Sequence, residues 1–237
     1  MGKAIIIKGA DFSVNGIAPT FQRLSWIGVT TKDNRDDGAE HGQYISSGIN
    51  MTINTRLIIE CTFDNVAHSV ISPGCNYSTN TQLYFWAQGG YLYAYAPPNL
   101  NMRTISSPWD GNRHVLEICK GWVKVDGETF SWATTPSNTG QVSPIYLDCS
   151  SLPDNSSQSG QYANTSAYNL VEGVKEPLAG VFKIHNVKIY SDYTDETSLV
   201  MDAIPVKRYS DNVVCFFNAV TGEYHERNNG STPEYGV

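Results

Sequence analysis

The chain has 237 residues, of which 41% are hydrophobic and 11% aromatic, enough for one globular domain with a substantial core. Only 16% are charged, against the roughly 25% usual in soluble domains, which argues against long exposed helices and coiled coils. The 16 basic and 23 acidic residues give a net charge of -7, so the cationic excess that nucleic-acid phosphates require is missing and no nucleic-acid partner is expected.

The N-terminal segment predicts neither a secretory signal nor a membrane span. Its apolar run, Ala4–Ile7, is interrupted by Lys8 and is too short for the core of a signal sequence. It is also far shorter than the roughly 20 apolar residues that cross a bilayer. We therefore expect a chain that starts inside a cell, unless a leader has been removed, and that does not insert into a membrane.

Short runs of β-branched and aromatic residues, bounded by Gly, Asn, Asp, Ser and Pro, recur along the chain and are typical of an all-β sandwich. The clearest strand lies within 55–63. Its alternation places four apolar side chains on one face, namely Leu57, Ile59, Cys61 and Phe63.

The segment Leu83–Ala96 predicts a β-hairpin closed by Gln88–Gly90, because paired glycines supply the positive φ angles of a tight turn. In its second strand, tyrosines alternate with Leu92 and Ala94, and Tyr84 of the first strand is expected in the same row of rings across the two strands. If the rings face outward they suit flat sugar faces or another subunit, and if they face inward they build the core. The sequence leaves both open, and the predicted glycan or subunit contacts are Trp86, Tyr91, Tyr93 and Tyr95.

Further strands follow toward the C-terminus. The segment His114–Phe130 predicts a three-stranded meander with turns at Lys120–Gly121 and Asp126–Gly127. Another strand is predicted at Ser143–Cys149. The segment Leu178–Tyr190 predicts one long, bent strand, because a slip in its alternation is typical of a bulge.

Three of these segments resemble, in order, core strands of concanavalin A-like or laminin-G-like jelly rolls: Trp109–Ile118, Gly121–Thr129 and Gly180–Tyr190. Asp126–Gly127 matches an aspartate-glycine hairpin of that family, and Ile189–Tyr190 matches the pair that often ends its third strand. The resemblance covers residues 45 to 192 and implies a jelly-roll β-sandwich.

The segment Ser198–His225 resembles a C-terminal tail common in bacteriophage virion proteins, where it follows a laminin-G-like domain and closes with a glycine near the end, as Gly236 does here. Asp211–Asn212 stands where that tail usually has Asp-Gly, and Cys215–Asn218 replaces a Gly-Leu-Tyr-Asp strand. Asn tolerates the left-handed conformation almost as Gly does, so the same turn is expected with Asn212 in place of Gly. The matching positions are Leu199, Val200, Asp202, Pro205, Arg208, Gly222 and Tyr224.

Together the two resemblances imply a division into N-terminal strands or an attachment segment (1–44), a jelly-roll core (45–192) and a short C-terminal β appendage (193–237). Within the core, Leu152–Ala167 is a polar loop of about sixteen residues, and loops of that length are usually functional or mobile.

The two resemblances also imply a structural virion protein of the tail, neck or head fibre. Such a protein is assembled in the host cytoplasm, pairs with copies of itself as a homo-oligomer and with other virion proteins, and contacts host surface glycans.

Many jelly rolls of this architecture are glycosidases, whose signature strand carries Glu-x-Asp-x-x-Glu with its acids on one face. That signature is absent. Glu60 and Asp64 could share a face, but no third carboxylate joins them, so we expect Glu60 on a solvated face and a turn at Asp64–Asn65. A non-enzymatic role is therefore predicted, with a stand-alone bacterial carbohydrate-binding lectin domain and an unrecognised glycoside hydrolase as the alternatives.

Metal and redox chemistry have little support in the sequence. The five cysteines form no CxxC pair and have no close histidine, so buried free thiols are expected. The five histidines lack HxH or HExxH spacing, and no metal site or cofactor is predicted. Calcium stays open, because laminin-G-like folds often bind it at loop ends, where Asp110 and Asp148 are candidates with a turn role as their alternative.

Overall fold

The computed structural model describes residues 20–29, 44–65, 68–71, 83–88, 91–96, 100–106, 110–137, 143–149, 181–227 and 232–237. Every regular element in these stretches is a β-strand, and the strand pairs are antiparallel, which confirms the all-β prediction. Within the same stretches, no helix has the length and apolar character needed to span a membrane. The predicted polar loop Leu152–Ala167 and most of segment 1–44 lie outside the described residues.

The strands in chain order are β1 (Phe21–Arg23), β2 (Trp26–Val29), β3 (Tyr44–Met51), β4 (Arg56–Asn65), β5 (His68–Ile71), β6 (Tyr84–Gln88), β7 (Tyr91–Ala96), β8 (Leu100–Ser106), β9 (Arg113–Ile118), β10 (Val123–Val125), β11 (Glu128–Phe130), β12 (Ser143–Cys149), β13 (Val181–Tyr190), β14 (Leu199–Arg208), β15 (Val214–Asn218), β16 (Tyr224–His225) and β17 (Tyr235–Gly236).

An eleven-stranded main sheet forms one layer, with β11-β10-β9-β4-β13-β14-β15-β16 as its continuous order. β4 lies near its centre between β9 and β13, and Ile59 pairs with Leu116 on one side and Val187 on the other. The inward face of β4 is at most 2% exposed at each of the four predicted positions. The period-two pattern of 55–63 therefore predicted this face correctly.

The main sheet forks where β13 and β14 diverge. β14 pairs with β13 at Val187–Tyr190, whereas β2 occupies the same side of β13 at Phe182–Ile184. β1 pairs with β14, and β17 flanks β2, so the N-terminal strands fill the fork. A register shift between Ile184 and Asn186 against β4 is the bulge that the slipped alternation predicted.

A second layer covers the inner face of the main sheet. It consists of the four-stranded sheet β5-β6-β7-β8 and the two-stranded sheet β12-β3. One cluster of buried side chains joins all three sheets, including Leu116 of the main sheet, Phe85 of β6 and Ile145 of β12. The chain is thus a β-sandwich with its core between the two layers.

Most of the predicted local elements are confirmed. β6 and β7 form the expected hairpin, with Gln88 paired to Tyr91, and β9, β10 and β11 form the meander. Asp126 and Gly127 both adopt positive φ, 52° and 86°, as a two-residue hairpin turn requires. The predicted turn at Asp64–Asn65 is wrong, because ladder pairing with Val181 extends β4 through Asn65.

The segment 193–237 contains β14 to β17 and belongs to the main sheet. β14 pairs with β13 on one edge and β15 on the other, and its residues Met201 and Ala203 are fully buried in the shared core. Phe216 of β15 is also 0% exposed. The hydrogen-bonded sheet and its core therefore run without a break across residue 192.

Candidate functional site

The tyrosines of β7 lie on the outer face of the second layer. Leu92 and Ala94 are 0% exposed and point into the core, so the alternate residues Tyr91 and Tyr93 point away from it and are half-buried. Their ring centroids are 6.5 Å apart at 71°, an edge-to-face pair. For these two residues, the structure answers the question that the sequence left open.

Neighbouring strands frame this tyrosine pair. Trp86 is the register partner of Tyr93 on β6, whereas the side chains of Trp86 and Tyr95 lie outside the described part of the structure. On β8 the register shifts between the partners of Tyr91 and Tyr93, and the Thr104 hydroxyl donates to the Leu92 carbonyl at 2.9 Å. The shift marks a bulge, which increases local twist at the pair.

A concave surface lies at one edge of the sandwich, between β3 and the β15–β16 hairpin, and we call it the edge groove. Its volume is about 730 Å³. The bridge between Ile45 and Arg227 and the pairing of β15 with β16 bring its two walls together. The walls come from residues about 180 positions apart, so no local sequence pattern could have indicated the groove.

The first wall of the edge groove is a bulge in β3. Between the pairs Ser46–Tyr146 and Asn50–Pro144, the ladder shifts register, and Gly48 adopts a φ of +72°. The Ser47 hydroxyl donates to the Ile145 carbonyl at 2.6 Å and accepts from the Ile49 amide at 3.0 Å. Its side chain thus replaces the missing ladder contacts and fixes the bulge.

The second wall contains three of the seven positions that matched the phage-like tail, Val200, Arg208 and Tyr224. Arg208 is ion-paired with both Asp211 and Glu226, and its guanidinium carbon lies 5.2 Å from the centre of the Tyr224 ring. The hydrogen bonds and charges of the two acids raise the pKa of Arg208. The imidazole Nδ1 of His225 donates to the Ser46 carbonyl at 3.0 Å, which joins the two walls.

A buried histidine lies between two carboxylates at the start of β9. Nδ1 of His114 is 2.7 Å from Asp126, and Nε2 is 3.1 Å from Asp110. Burial opposes protonation, but the two carboxylates outweigh it and raise the histidine pKa. Asp110 also accepts from the Asn112 amide at 2.8 Å, so it has the turn role given as the alternative to calcium binding.

A cluster around Trp122 covers the outer surface of β4 and β9. Glu117 accepts from the Trp122 indole at 2.5 Å and is ion-paired with Arg56 at 2.9 Å. Arg56 is also ion-paired with Glu196 in the segment between β13 and β14, and it packs 4.7 Å above the Tyr190 ring. These ion pairs and ring contacts fasten that segment to the sheet, although the buried Nε of Arg56 makes no hydrogen bond.

The remaining candidates from the sequence are acidic residues of the strands and the cysteines. Glu60 is ion-paired with Arg113 on the outer face of the main sheet, and the side chains of Asp64 and Asp148 lie outside the described part. The described cysteines, Cys61, Cys119 and Cys215, are buried free thiols, as predicted, and burial raises the pKa of Cys215 to about 12. Among the residues that the structure describes, no three His, Cys, Asp or Glu side chains converge as metal ligands would.

Comparisons of the whole sequence with known protein families and with curated proteins find no match.

Proposed function

We propose that the chain is a non-enzymatic structural protein of a bacteriophage particle, whose concanavalin A-like jelly-roll sandwich contacts host surface glycans through β7. The observation that carries the proposal is the outward orientation of Tyr91 and Tyr93. Two half-exposed rings on a rigid strand offer apolar surface at low entropic cost, and their hydroxyls can hydrogen-bond to sugar hydroxyls. Its partners would then be copies of itself, in a homo-oligomer, and other virion proteins.

The C-terminal strands support the phage part of the proposal at two turns and at one contact between matched residues. Asn212 has a φ of 62°, the left-handed conformation that the Gly of the usual Asp-Gly pair would adopt. Gly222 has a φ of 82° in the next turn. Arg208, before the first turn, stacks on Tyr224, after the second. These two turns and this contact support the resemblance to such a tail.

Binding of this kind is weak at each site and gains strength from copy number. Two rings on the outer face of a sheet enclose only part of a sugar, so each contact leaves much of the ligand in water. Many copies on one particle convert later contacts into intramolecular ones and raise avidity by about 10²–10⁴. A virion protein would therefore bind a glycan surface tightly only when it is displayed in many copies.

A glycan array tests the proposal with the free protein and with protein clustered on beads. The double variant Tyr91→Ala/Tyr93→Ala should lose at least about tenfold in bead binding, because each ring contributes about 1 kcal/mol. Tyr209→Ala is the matched control, since Tyr209 is 50% exposed at the β14–β15 turn, away from β7. Equal binding by the double variant and the control, with both unfolding like the parent, would contradict the β7 assignment.

Two further outcomes separate this proposal from the stand-alone lectin. Micromolar binding by the isolated monomer would favour the lectin, since it needs no copy number. Mass spectrometry of purified phage particles should find the chain among the virion proteins, and its absence from every particle would overturn the virion assignment.

A further inference from the structure

The outer face of the main sheet carries an apolar cluster where the C-terminal strands lie. On β15, Val214 and Phe216 point into the core between the layers, so the alternate residues Cys215 and Phe217 point to the opposite face. The cluster consists of three buried residues and the three partly buried rings packed against them, namely Ile204, Val206 and Cys215 with Phe21, Phe217 and Tyr224. We call this cluster the outer patch.

The three rings of the outer patch contact one another and keep part of their surface in solvent. The ring centroid of Phe217 lies 4.8 Å from that of Phe21 and 5.2 Å from that of Tyr224. All three side chains are only half-buried. The solvent-facing side of an antiparallel sheet usually carries polar residues, whereas grouped aromatic rings are typical of protein interfaces. The outer patch therefore indicates contact with another protein chain.

Charged side chains of both signs border the outer patch. Arg208 contacts the Tyr224 ring and is ion-paired with both Asp211 and Glu226, which leaves one negative charge in excess. Arg23 is exposed, lies outside these ion pairs and adds one positive charge. It is the register partner of Val206, so it points to the same face as the patch. The border is thus neutral in total, with its surplus base and surplus acid at separate positions.

This charge distribution is complementary to itself. A two-fold axis brings the same surface of two copies together, so that each surplus base can meet the surplus acid of the other copy. The neutral border also lets two chains approach at this surface although each has a net charge of -7. A partner that is strongly acidic or strongly basic would meet like charge on part of the border.

We propose that the outer patch is the contact surface between two copies of this chain, with Arg23 of each copy paired to Glu226 of the other. The aromatic rings form the apolar centre of the contact, and the charges set the orientation of the two copies. The inference rests on the homo-oligomer in the proposed function and adds the surface that forms it. It does not require that the β7 tyrosines bind glycans.

The test is analytical ultracentrifugation of the full chain at concentrations up to about 100 μM, which detects dissociation constants in the micromolar range. The parent should form a dimer that dissociates on dilution. Arg23→Glu should raise the dissociation constant at least about tenfold, because the new carboxylate would face Glu226 of the other copy. Arg113→Glu is the matched control, since Arg113 is also exposed but lies on β9, outside the outer patch. The control should dimerise like the parent.

A charge exchange tests the pairing itself. Glu226→Arg alone should also weaken the dimer, because it would face Arg23 of the other copy. In an equimolar mixture of Arg23→Glu and Glu226→Arg, both contacts across the two-fold axis join opposite charges, so dimers should return. Both positions are exposed on the surface, and urea unfolding of each variant checks that it folds like the parent.

Three results would overturn the inference: a parent that stays monomeric at the highest concentration, equal dimerisation of Arg23→Glu and Arg113→Glu, or a mixture that associates no better than its two components. These results are distinct from those that test the proposed function. Glycan binding by β7 and the presence of the chain in phage particles are measured separately and do not depend on this interface. Tyr91→Ala/Tyr93→Ala should lose glycan binding and still dimerise like the parent.

Discussion

His114 is electrostatically coupled to two carboxylates. Both of its ring nitrogens face carboxylates, so the doubly protonated imidazolium can donate to Asp126 and Asp110 at once. Asp126 also accepts from the Val115 amide at 2.8 Å and lies in the turn between β10 and β11. Protonation of His114 therefore links the start of β9 to the turn between β10 and β11.

We predict that His114 stabilises the fold at acidic pH and loses this effect as the pH rises. Its folded pKa is raised, so the stabilisation is complete below the unfolded value of 6.5 and disappears as the pH passes through the folded pKa. Urea unfolding of the parent and of His114→Gln should differ by about 2 kcal/mol at pH 5, a typical contribution of hydrogen bonds to a charged group. The difference should shrink at pH 9.

His185 supplies the control for this prediction, with the opposite sign. Burial and the nearby Arg113 charge lower its pKa and outweigh the hydrogen bond that Nδ1 donates to the Ser25 carbonyl, which raises it. Its contribution is therefore complete above the unfolded pKa and is lost as the pH falls through the folded pKa. If the His114→Gln difference grew with pH, or followed the same trend as His185→Gln, the assignment of His114 as a charged partner would be wrong.

The turn between β14 and β15 depends on a single left-handed residue. Asn212 has a φ of 62°, and its amide donates to the Arg208 carbonyl at 3.0 Å. Asp211 reinforces the turn by accepting from the Val213 amide at 3.2 Å and by its ion pair with Arg208. Asn212 thus adopts the left-handed conformation that Asn tolerates almost as well as Gly.

We predict that Asn212→Ala destabilises the protein by about 1 kcal/mol, because a Cβ without a compensating side-chain hydrogen bond is strained in the left-handed region. Asn212→Gly is the internal control and should stay within about 0.5 kcal/mol of the parent. Denaturant unfolding measures both. Equal stability of the two variants would mean that the turn relaxes to another conformation.

Alternation and turn chemistry predicted the strands well, because both depend on neighbouring residues. β4 and the meander followed from such local patterns. The outward face of β7 could not be predicted, since alternation is symmetric and only packing against the other layer decides which face is buried. The pairing of His114 with Asp126 across a hairpin and the contact of His225 with Ser46 depend on tertiary structure, so no sequence pattern indicated either contact.

At the scale of the whole molecule, the C-terminal strands complete the sandwich. β14 pairs along β13 from Val187 to Tyr190, and Met201 and Phe216 are fully buried. Without them, β13 would expose an unpaired edge and the core would lose several large side chains. An exposed edge of this kind is prone to pair with other chains.

We predict that a chain ending at residue 192 does not fold cooperatively. Loss of a buried Phe or Met costs about 2–5 kcal/mol, and several such losses match the whole stability of a typical domain, about 5–15 kcal/mol. Circular dichroism during urea titration should show a broad transition without the sharp midpoint of the full chain. Adding the fragment 193–237 in trans should restore that midpoint, whereas a sharp transition in the truncated chain alone would establish 45–192 as an autonomous core.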